Sequence, residues 1–371
     1  MIVPGSTSIG DLPDVVMNNI LVRLPIKEVG RTTVLSRNWR YKWATVPELV
    51  FDDNIFEENE GTYNKLVDIV GQVLILHKGP IKRFELRFPN LEDDYSIDRW
   101  IVNLCWHGIQ NLILDFHSCD YQHYTYKVPV SLFSCHQLSD LELSNCIVKL
   151  PHSFKGFKNL KALTLHKTTI TEKEFEDLLS GCPRLETLNV EDDEHPQQDK
   201  KCNLVNTLGS LPAITKLILE GYALQFLSVG NLPMKLPRGC DKLKSLNITV
   251  NFEDMNTIQV MLCLFRSFPT LDGLYISATY YGNAFEHLED VWNLEDYFDC
   301  SFNHLRTVAM NNICGSKLEL QLIKCILKNS PELKIMTVEP EEDTDASKML
   351  IELIRFPRAS MHAEIVFQSQ S

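Results

Sequence analysis

Apolar and polar positions along this chain fall into a recurring frame, L-x-x-L-x-L with conservative apolar replacements. It reads "IKRFEL" from Ile81, "IQNLIL" from Ile109, "LSDLEL" from Leu138, "LKALTL" from Leu160 and "LETLNV" from Leu185. It continues as "ITKLIL" from Ile214, "LKSLNI" from Leu243, "LDGLYI" from Leu271, "LRTVAM" from Leu305 and "LKIMTV" from Leu333. The ten copies start 22 to 34 residues apart. The closing L-x-L has period 2, so two apolar side chains face one way and their neighbours the other, which predicts a short strand with one buried face.

Helical patterns separate the copies. "TEKEFEDLLSG" puts Phe175, Leu178 and Leu179 on one face, with Thr171 and Glu174 spaced as a capping box and Gly181 as a C-cap. "MNTIQVMLCLFRSF" and "KLELQLIKCILKNS" carry similar stripes. Pro183, Pro212, Pro269 and Pro331 each stand two residues before a copy, where proline ends the helix and favours extended backbone. A strand and helix of under 30 residues cannot bury their apolar faces alone, so the copies are expected to stack. The predicted architecture is α/β: a parallel-strand solenoid with helices on its convex side.

This is the leucine-rich-repeat pattern, completed in "LSDLELSNC" by Cys146 at the ninth position. The 34-residue spacing implies an insertion, "YYGNAFEHLEDVWNLEDYFDCSFN". Residues 191–212 read either as a shortened loop joining intact repeats or as a break. Outward positions beside the buried pairs include Arg83, Glu85, Arg87, Asp140, Glu142, His166, Asn189, Lys216, Asn247, Tyr275 and Asn311. Among them Arg83, Arg87, His166, Asn189, Asn247, Tyr275 and Asn311 are the candidate substrate contacts. Their mixed polarity suits a protein or small ligand better than a nucleic-acid track.

Residues 11–50 break from the repeat. Asp11 is placed to cap a helix with Pro13 in its first turn, where a missing N–H is harmless. Val16, Ile20 and Leu24 follow at i, i+4 and i+8. "IKEVGRTTV" predicts a second short helix and Ser36 caps a third. There Leu35, Trp39 and Trp43 form one stripe, while Arg37, Arg40 and Lys42 make its solvated or partner-facing rim. Trp43 is expected to be mostly internal and Trp39 nearer an interface.

"DLPDVVMNNILVRLPIKEVGRTTVLSRNWRYKWATVPELVFDD" closely resembles the F-box as plants write it before leucine-rich repeats. "SPELKIMTVEPEEDTDASKMLIELIRFPRASMHAEIVF" resembles the FBD region that closes such proteins. The chain is thus identified as similar to the plant F-box/FBD/LRR-repeat family, with an F-box at 8–53, repeats at 78–330 and an FBD cap at 331–371. The resemblance implies a substrate-recognition subunit of an SCF-type ubiquitin ligase. Its three-helix F-box would dock on a Skp-type adaptor, itself tethered to a cullin, and its repeats would hold a protein substrate. Carried over by position, the adaptor contacts are Leu12, Pro13, Ile20, Leu24, Pro25, Val29, Val34, Leu35 and Trp39. Asn38 departs mildly from the basic residue common there, and the middle of the chain is shorter than the family's usual run of repeats. The alternative is a non-ligase repeat scaffold whose N-terminal helices merely cap the array.

Composition narrows these readings. The chain has 371 residues, 44% hydrophobic and 23% charged, which suits a soluble globular protein. A net charge of -13 and a pI near 5.3 argue against nucleic acid as partner. No stretch approaches a spanning helix, and "MIVPGSTSIG" lacks the charged and apolar regions of a secretory leader. No membrane partner is expected, and the expected location is the nucleus, the cytoplasm or both. Eleven cysteines without a C-x-x-C pair are read as buried free thiols in a reducing compartment, where the sequon at Asn247 would go unglycosylated. From Arg23 to Lys42 six basic residues face one acidic residue, Glu28, which would favour an acidic partner. A well-buried tryptophan or leucine anchor there would contribute about 1.5–3 kcal/mol.

Cys105, His107, His117, Cys119, His123, Cys135 and His136 crowd together without the paired spacing that zinc needs. The acidic runs "EDDE" and "EPEEDTD" read as solvated loops. Phosphate-cradling and nucleophile-elbow glycine motifs are missing, and no catalytic-cysteine signature stands out. No cofactor is expected, and the chain is expected not to be an enzyme.

Overall fold

The structure, a computed structural model, describes residues 12–13, 16–17, 20, 43–51, 62–87, 95–116, 126–192, 208, 211–227, 233–236, 240–280, 300–342, 344 and 346–368. The chain forms two compact units, Met1–Ile170 and Thr171–Ser371.

In the first unit five parallel strands stand side by side in the order β1 (Glu48–Phe51), β2 (Arg83–Arg87), β3 (Asn111–Asp115), β5 (Asp140–Ser144) and β7 (Ala162–His166). Two short strands, β4 (Tyr126–Lys127) and β6 (Cys146–Ile147), pair beside them. Helix α1 (Thr62–Leu76) joins β1 to β2, and α2 (Tyr95–Trp106) joins β2 to β3. Leu66, Val70 and Leu74 of α1 and Ile97, Trp100, Ile101 and Leu104 of α2 are buried, as are Phe84, Leu86, Leu112, Leu114, Leu141, Leu143, Leu163 and Leu165 of the sheet. Each fully buried leucine contributes about 1.5–3 kcal/mol by transfer. Phe133, Phe154 and Phe157 fill the space where no α-helix lies between β5 and β7, with ring centroids 5.3–6.1 Å apart. Cys146, the ninth position of its frame, is fully buried.

The second unit repeats the plan with seven parallel strands in chain order: β8 (Thr187–Asp192), β9 (Lys216–Gly221), β10 (Ser245–Asn251), β11 (Gly273–Thr279), β12 (Thr307–Ile313), β13 (Ile335–Pro340) and β14 (Glu364–Phe367). Its helices are α3 (Glu172–Ser180), α4 (Ala223–Leu227), α5 (Met255–Ser267), α6 (Lys317–Asn329) and α7 (Ala346–Arg355). Thr171 and Glu174 form the expected capping box, and Phe175, Leu178 and Leu179 are buried. Gly181 does end α3, but with φ -71° and right-handed backbone, so the left-handed freedom of glycine is not what stops that helix. Strands β8 and β9 pair directly from Thr187↔Lys216 to Asp192↔Gly221, so the strands on either side of 191–212 are immediate neighbours. The repeats on either side of that stretch therefore stack without a break.

All ten frames became strands, each beginning two residues into its frame. Two strands outside those ten frames extend the pattern: β1, from "ELVF", and β14, from "EIVF". The insertion at 281–299 and the loop 117–125 lie outside the described residues.

Candidate functional site

Three surfaces carry the candidate residues. The first is the N-terminal segment. Pro13 starts a helical turn, its carbonyl accepting from Val16 and Met17 N–H at 2.9 and 3.0 Å. Met17 is buried, whereas Pro13 and Val16 are exposed and Leu12 and Ile20 are half-buried. An apolar surface is therefore left open on this turn. Leu24, Pro25, Val29, Val34, Leu35 and Trp39 lie outside the described residues, as does the Trp43 side chain. At its far end the segment is built into the first unit. Lys78 and Lys82 N–H donate to the Ala44 and Pro47 carbonyls at 2.5 and 2.7 Å, and β1 pairs β2 in register. His77 Nε2 lies 2.9 Å from the Val46 carbonyl, which requires the neutral ring to carry its proton on Nε2. Burial and the nearby His107 push the His77 pKa down, against hydrogen bonds to Val46 and Gly79 that raise it.

The second surface is the solvent-facing side of the first sheet, where the register aligns three rows. One row is Arg83, Asn111, Asp140 and Ala162; the next is Glu85, Ile113, Glu142 and Thr164; the third is Arg87, Asp115, Ser144 and His166. Arg83 donates to Glu85 at 2.6 Å and Arg87 to Glu85 at 2.7 Å, which leaves Glu85 buried beneath both guanidinium groups. Arg87 also reaches Glu142 at 3.1 Å and approaches Asp115 to 3.7 Å. Asn145 donates to Asp115 at 3.0 Å. Both candidate arginines are thus held by the sheet's own carboxylates, and His166 closes the third row.

The third surface is the matching face of the second sheet. Its middle row runs Asn189, Ile218, Asn247, Tyr275, Ala309, Thr337 and Val366. Asn247 donates to Glu220 at 2.7 Å, and Asn311 stands opposite Ser277 in the next row. Tyr275 is 39% exposed, flanked by the short side chain of Ala309, with its ring over Gly273. A Cβ at position 273 would lie 3.1 Å from the Tyr275 ring, so glycine is what lets the ring lie flat. Rows of the first face are charged and internally paired; this face is mostly neutral, with one exposed aromatic ring.

The cysteines correct one expectation. Cys105, at the end of α2, and Cys135, after the 3-10 helix Val130–Ser134, form a disulfide across consecutive repeats, with Cα atoms 5.0 Å apart. Thirty positions of sequence separate them, a distance that only the stacking of repeats closes, so spacing could not reveal the pair. The other described cysteines form no disulfide and, except for half-buried Cys314, are buried. Burial pushes the Cys146 thiol up to about 12 and Cys240 up to about 11, each helped by a neighbouring aspartate, so these are inert as nucleophiles. Among the described residues no group of His, Cys, Asp or Glu is arranged to hold a metal ion, and no helix is long and apolar enough to cross a membrane.

A buried polar knot in the second unit had no signal in the sequence reading. Tyr280 donates its hydroxyl to fully buried Glu319 and accepts from Cys314 N–H at 3.2 Å. Glu319 in turn accepts from Ser316 N–H at 2.7 Å, forming a capping box at the start of α6. The Ser316-x-x-Glu319 spacing is that of a capping box but was not singled out, and its tyrosine partner comes from the neighbouring repeat. The arrangement fixes a helix start and supplies no reacting group.

Three family profiles match the chain: an F-box domain at residues 9–51, the repeats of an FBD-associated F-box protein at 97–202, and an FBD at 297–338. The FBD match begins before the segment in which the sequence resemblance was read and ends inside it. An F-box/FBD/LRR-repeat protein of Arabidopsis thaliana is 33% identical over 97% of this chain and 98% of its own length. A putative F-box/LRR-repeat protein of the same plant is 32% identical over 66% of this chain and 53% of its own. An FBD-associated F-box protein is 26% identical over 97% of this chain and 99% of its own.

Proposed function

The chain belongs to the F-box/FBD/LRR-repeat family, and we propose that it is the substrate-recognition subunit of an SCF-type ubiquitin ligase. In this reading the N-terminal segment docks on a Skp-type adaptor, which tethers a cullin, while the repeats and the FBD region hold a protein substrate. The chain contributes no catalysis of its own. It raises the substrate's effective concentration beside a ubiquitin-charged enzyme, in the nucleus or cytoplasm.

One observation carries the reading. The F-box match ends at residue 51, and its last four residues are strand β1 of the first repeat sheet. The far end of the F-box match is therefore built into the repeat sheet by strand pairing. That is what a receptor needs if a bound substrate is to be presented at a fixed place. The exposed Pro13 and Val16 beside buried Met17 supply unpartnered apolar surface on the docking segment, consistent with the adaptor contacts proposed at Leu12, Pro13, Ile20, Leu24, Pro25, Val29, Val34, Leu35 and Trp39.

The test is co-purification of the full-length chain with a Skp-type adaptor. Binding is expected for the natural chain and its loss for Leu24→Ala combined with Trp39→Ala. A full-length chain that binds no adaptor, or a double variant that binds as well as the parent, overturns the reading and leaves a repeat scaffold without a ligase.

A further inference from the structure

The turns leading into the strands of the first unit, residues 77–82, 106–110, 134–139 and 155–161, hold five lysines and no carboxylate. They lie directly against one another. Ile81 N–H donates to the His107 carbonyl at 3.3 Å, and Gln110 N–H to the Lys82 carbonyl at 3.0 Å. Ser139 N–H donates to the Gln110 carbonyl at 2.8 Å, and the Asn159 side chain to the His136 carbonyl at 3.1 Å. Lys78, Lys82, Lys155 and Lys158 are all exposed. Four adjacent turns at a strand spacing of about 4.8 Å make an edge about 14 Å long, the reach of four or five extended residues at about 3.3 Å each.

One end of this edge is apolar. Helices α1 and α2 finish there with Ile75 80%, Leu76 54% and Trp106 85% exposed. The His77 and His107 rings, 5.9 Å apart, bring the two helix ends together. An exposed tryptophan beside two exposed aliphatic side chains is the kind of anchor that dominates interfaces.

Basic charge is not a by-product of the repeat. The equivalent turns of the second unit also hold basic residues, Arg184, Lys242, Lys244, Arg306 and Lys334, but set Glu186, Asp241, Asp272 and Glu332 against them. There Arg306 is paired with Asp272 at 3.3 Å and Glu332 at 3.4 Å. A chain of net charge -13 keeps acidic residues out of these four turns, the nearest being Glu48 and Asp140 at the starts of β1 and β5, and places an apolar anchor at their end. We propose that this edge of the first unit docks an acidic polypeptide segment bearing an aliphatic or aromatic side chain. Its carboxylates meet Lys78, Lys82, Lys155 and Lys158, and its apolar side chain meets Trp106, Ile75 and Leu76. A nucleic acid fits less well, because it would extend beyond the short edge into the field of the acidic remainder, and its phosphates have no use for Ile75 and Leu76.

The inference stands apart from the ligase reading, since peptide binding to the full-length chain needs no adaptor. The probe is a fluorescein-labelled peptide of glutamates and aspartates with one central leucine–phenylalanine pair, read by anisotropy. Binding is expected to weaken with added salt and to fall about tenfold or more in Lys78→Glu/Lys82→Glu and in Lys155→Glu/Lys158→Glu. Trp106→Ala is expected to cost about fivefold or more. These positions are exposed, and an unchanged unfolding midpoint shows that each variant is intact. Equal binding of a glutamine-substituted peptide, equal affinity in the variants, or tighter binding of a duplex DNA overturns the proposal.

Discussion

Arg87 on β2 bridges to Glu142 on β5, two strands away, with its Nη2 donating to the carboxylate at 3.1 Å. The same side chain donates to Glu85 at 2.7 Å and stands 3.7 Å from Asp115 on the strand between. Burial pushes the Glu85 carboxyl up, but hydrogen bonds and charge from Arg83 and Arg87 outweigh it and hold the pKa below its ordinary 4.5. A carboxylate with a depressed folded pKa stabilises the protein above its unfolded value and loses that contribution as pH falls through the folded one. Stability is therefore expected to decline below about pH 4.5, and less steeply in Arg87→Ala. Because Arg87 is 37% exposed, solvent screens the network. The substitution should cost about 1 kcal/mol or less at low salt and still less at high salt. Urea unfolding of the full chain at two salt concentrations measures this; a cost indifferent to salt would mean that packing of the arginine stem dominates.

Tyr280→Phe should cost more than its single hydroxyl suggests. It leaves the fully buried Glu319 carboxylate short of a donor, a loss of about 1–3 kcal/mol. Thr171→Ala breaks the analogous box of α3 on exposed ground and should cost about 1 kcal/mol. Thermal or urea unfolding of both variants checks the order; a larger loss for Thr171→Ala would contradict the buried knot.

The contrast between these two boxes shows which features the sequence carried. The ten strand frames were legible, because the alternation that buries Leu141 and Leu143 is a local property of five residues. The Thr171–Glu174 box was legible for the same reason. Tyr280 with Glu319, Cys105 with Cys135, and Arg87 with Glu142 were not, since each pair meets only through the alignment of different repeats. Strand β1 was missed although "VPELVF" from Val46 fits the frame, because it stands 35 residues before the Ile81 copy and reads as the tail of the helical segment. The rows lie on the face that the alternation gives them, although Glu85, expected to point outward, is buried beneath Arg83 and Arg87. That the first face neutralises its own arginines while the second leaves Tyr275 open depends on cross-strand partners.

His77 should make stability depend on pH. Its folded pKa is lowered, chiefly by burial, below the ordinary 6.5, so the unfolded chain binds the proton more readily. Stability is then fully present above about pH 6.5, declines as pH falls from there towards the folded value, and levels off below it. His77→Gln keeps a donor for the Val46 carbonyl and removes the titration. A stability profile between pH 7 and 5 that is flatter in this variant supports the assignment; identical slopes exclude it.

The Cys105–Cys135 pair closes a loop across 30 positions of sequence. In the chain-entropy account that closure contributes about 3–4 kcal/mol. Reducing the purified protein should lower its unfolding free energy by up to this amount, while Cys105→Ser should show the loss without any response to reductant. Intact mass before and after reduction provides the chemical check. Alkylation of both cysteines in unreduced, folded protein would show that the pair is not formed.

Tyr275 allows recognition and scaffold roles on the second sheet to be told apart by experiment. It sits on the exposed side of β11, between Asn247 and Ala309, with its ring over Gly273. Little core depends on a ring so placed, so Tyr275→Ala should change stability by about 0.5 kcal/mol or less. An exposed aromatic on an otherwise neutral face is, however, the residue type most able to anchor a bound protein. Gly273→Ala is the companion variant: its new Cβ would lie 3.1 Å from the ring and force it to lift, altering the surface without deleting the side chain. Proximity labelling from the full-length chain in cells should lose the same partners in both variants, more completely in Tyr275→Ala. If Tyr275→Ala instead destabilises the fold by more than about 1 kcal/mol while its labelled partners are unchanged, the ring serves the sheet and not the substrate.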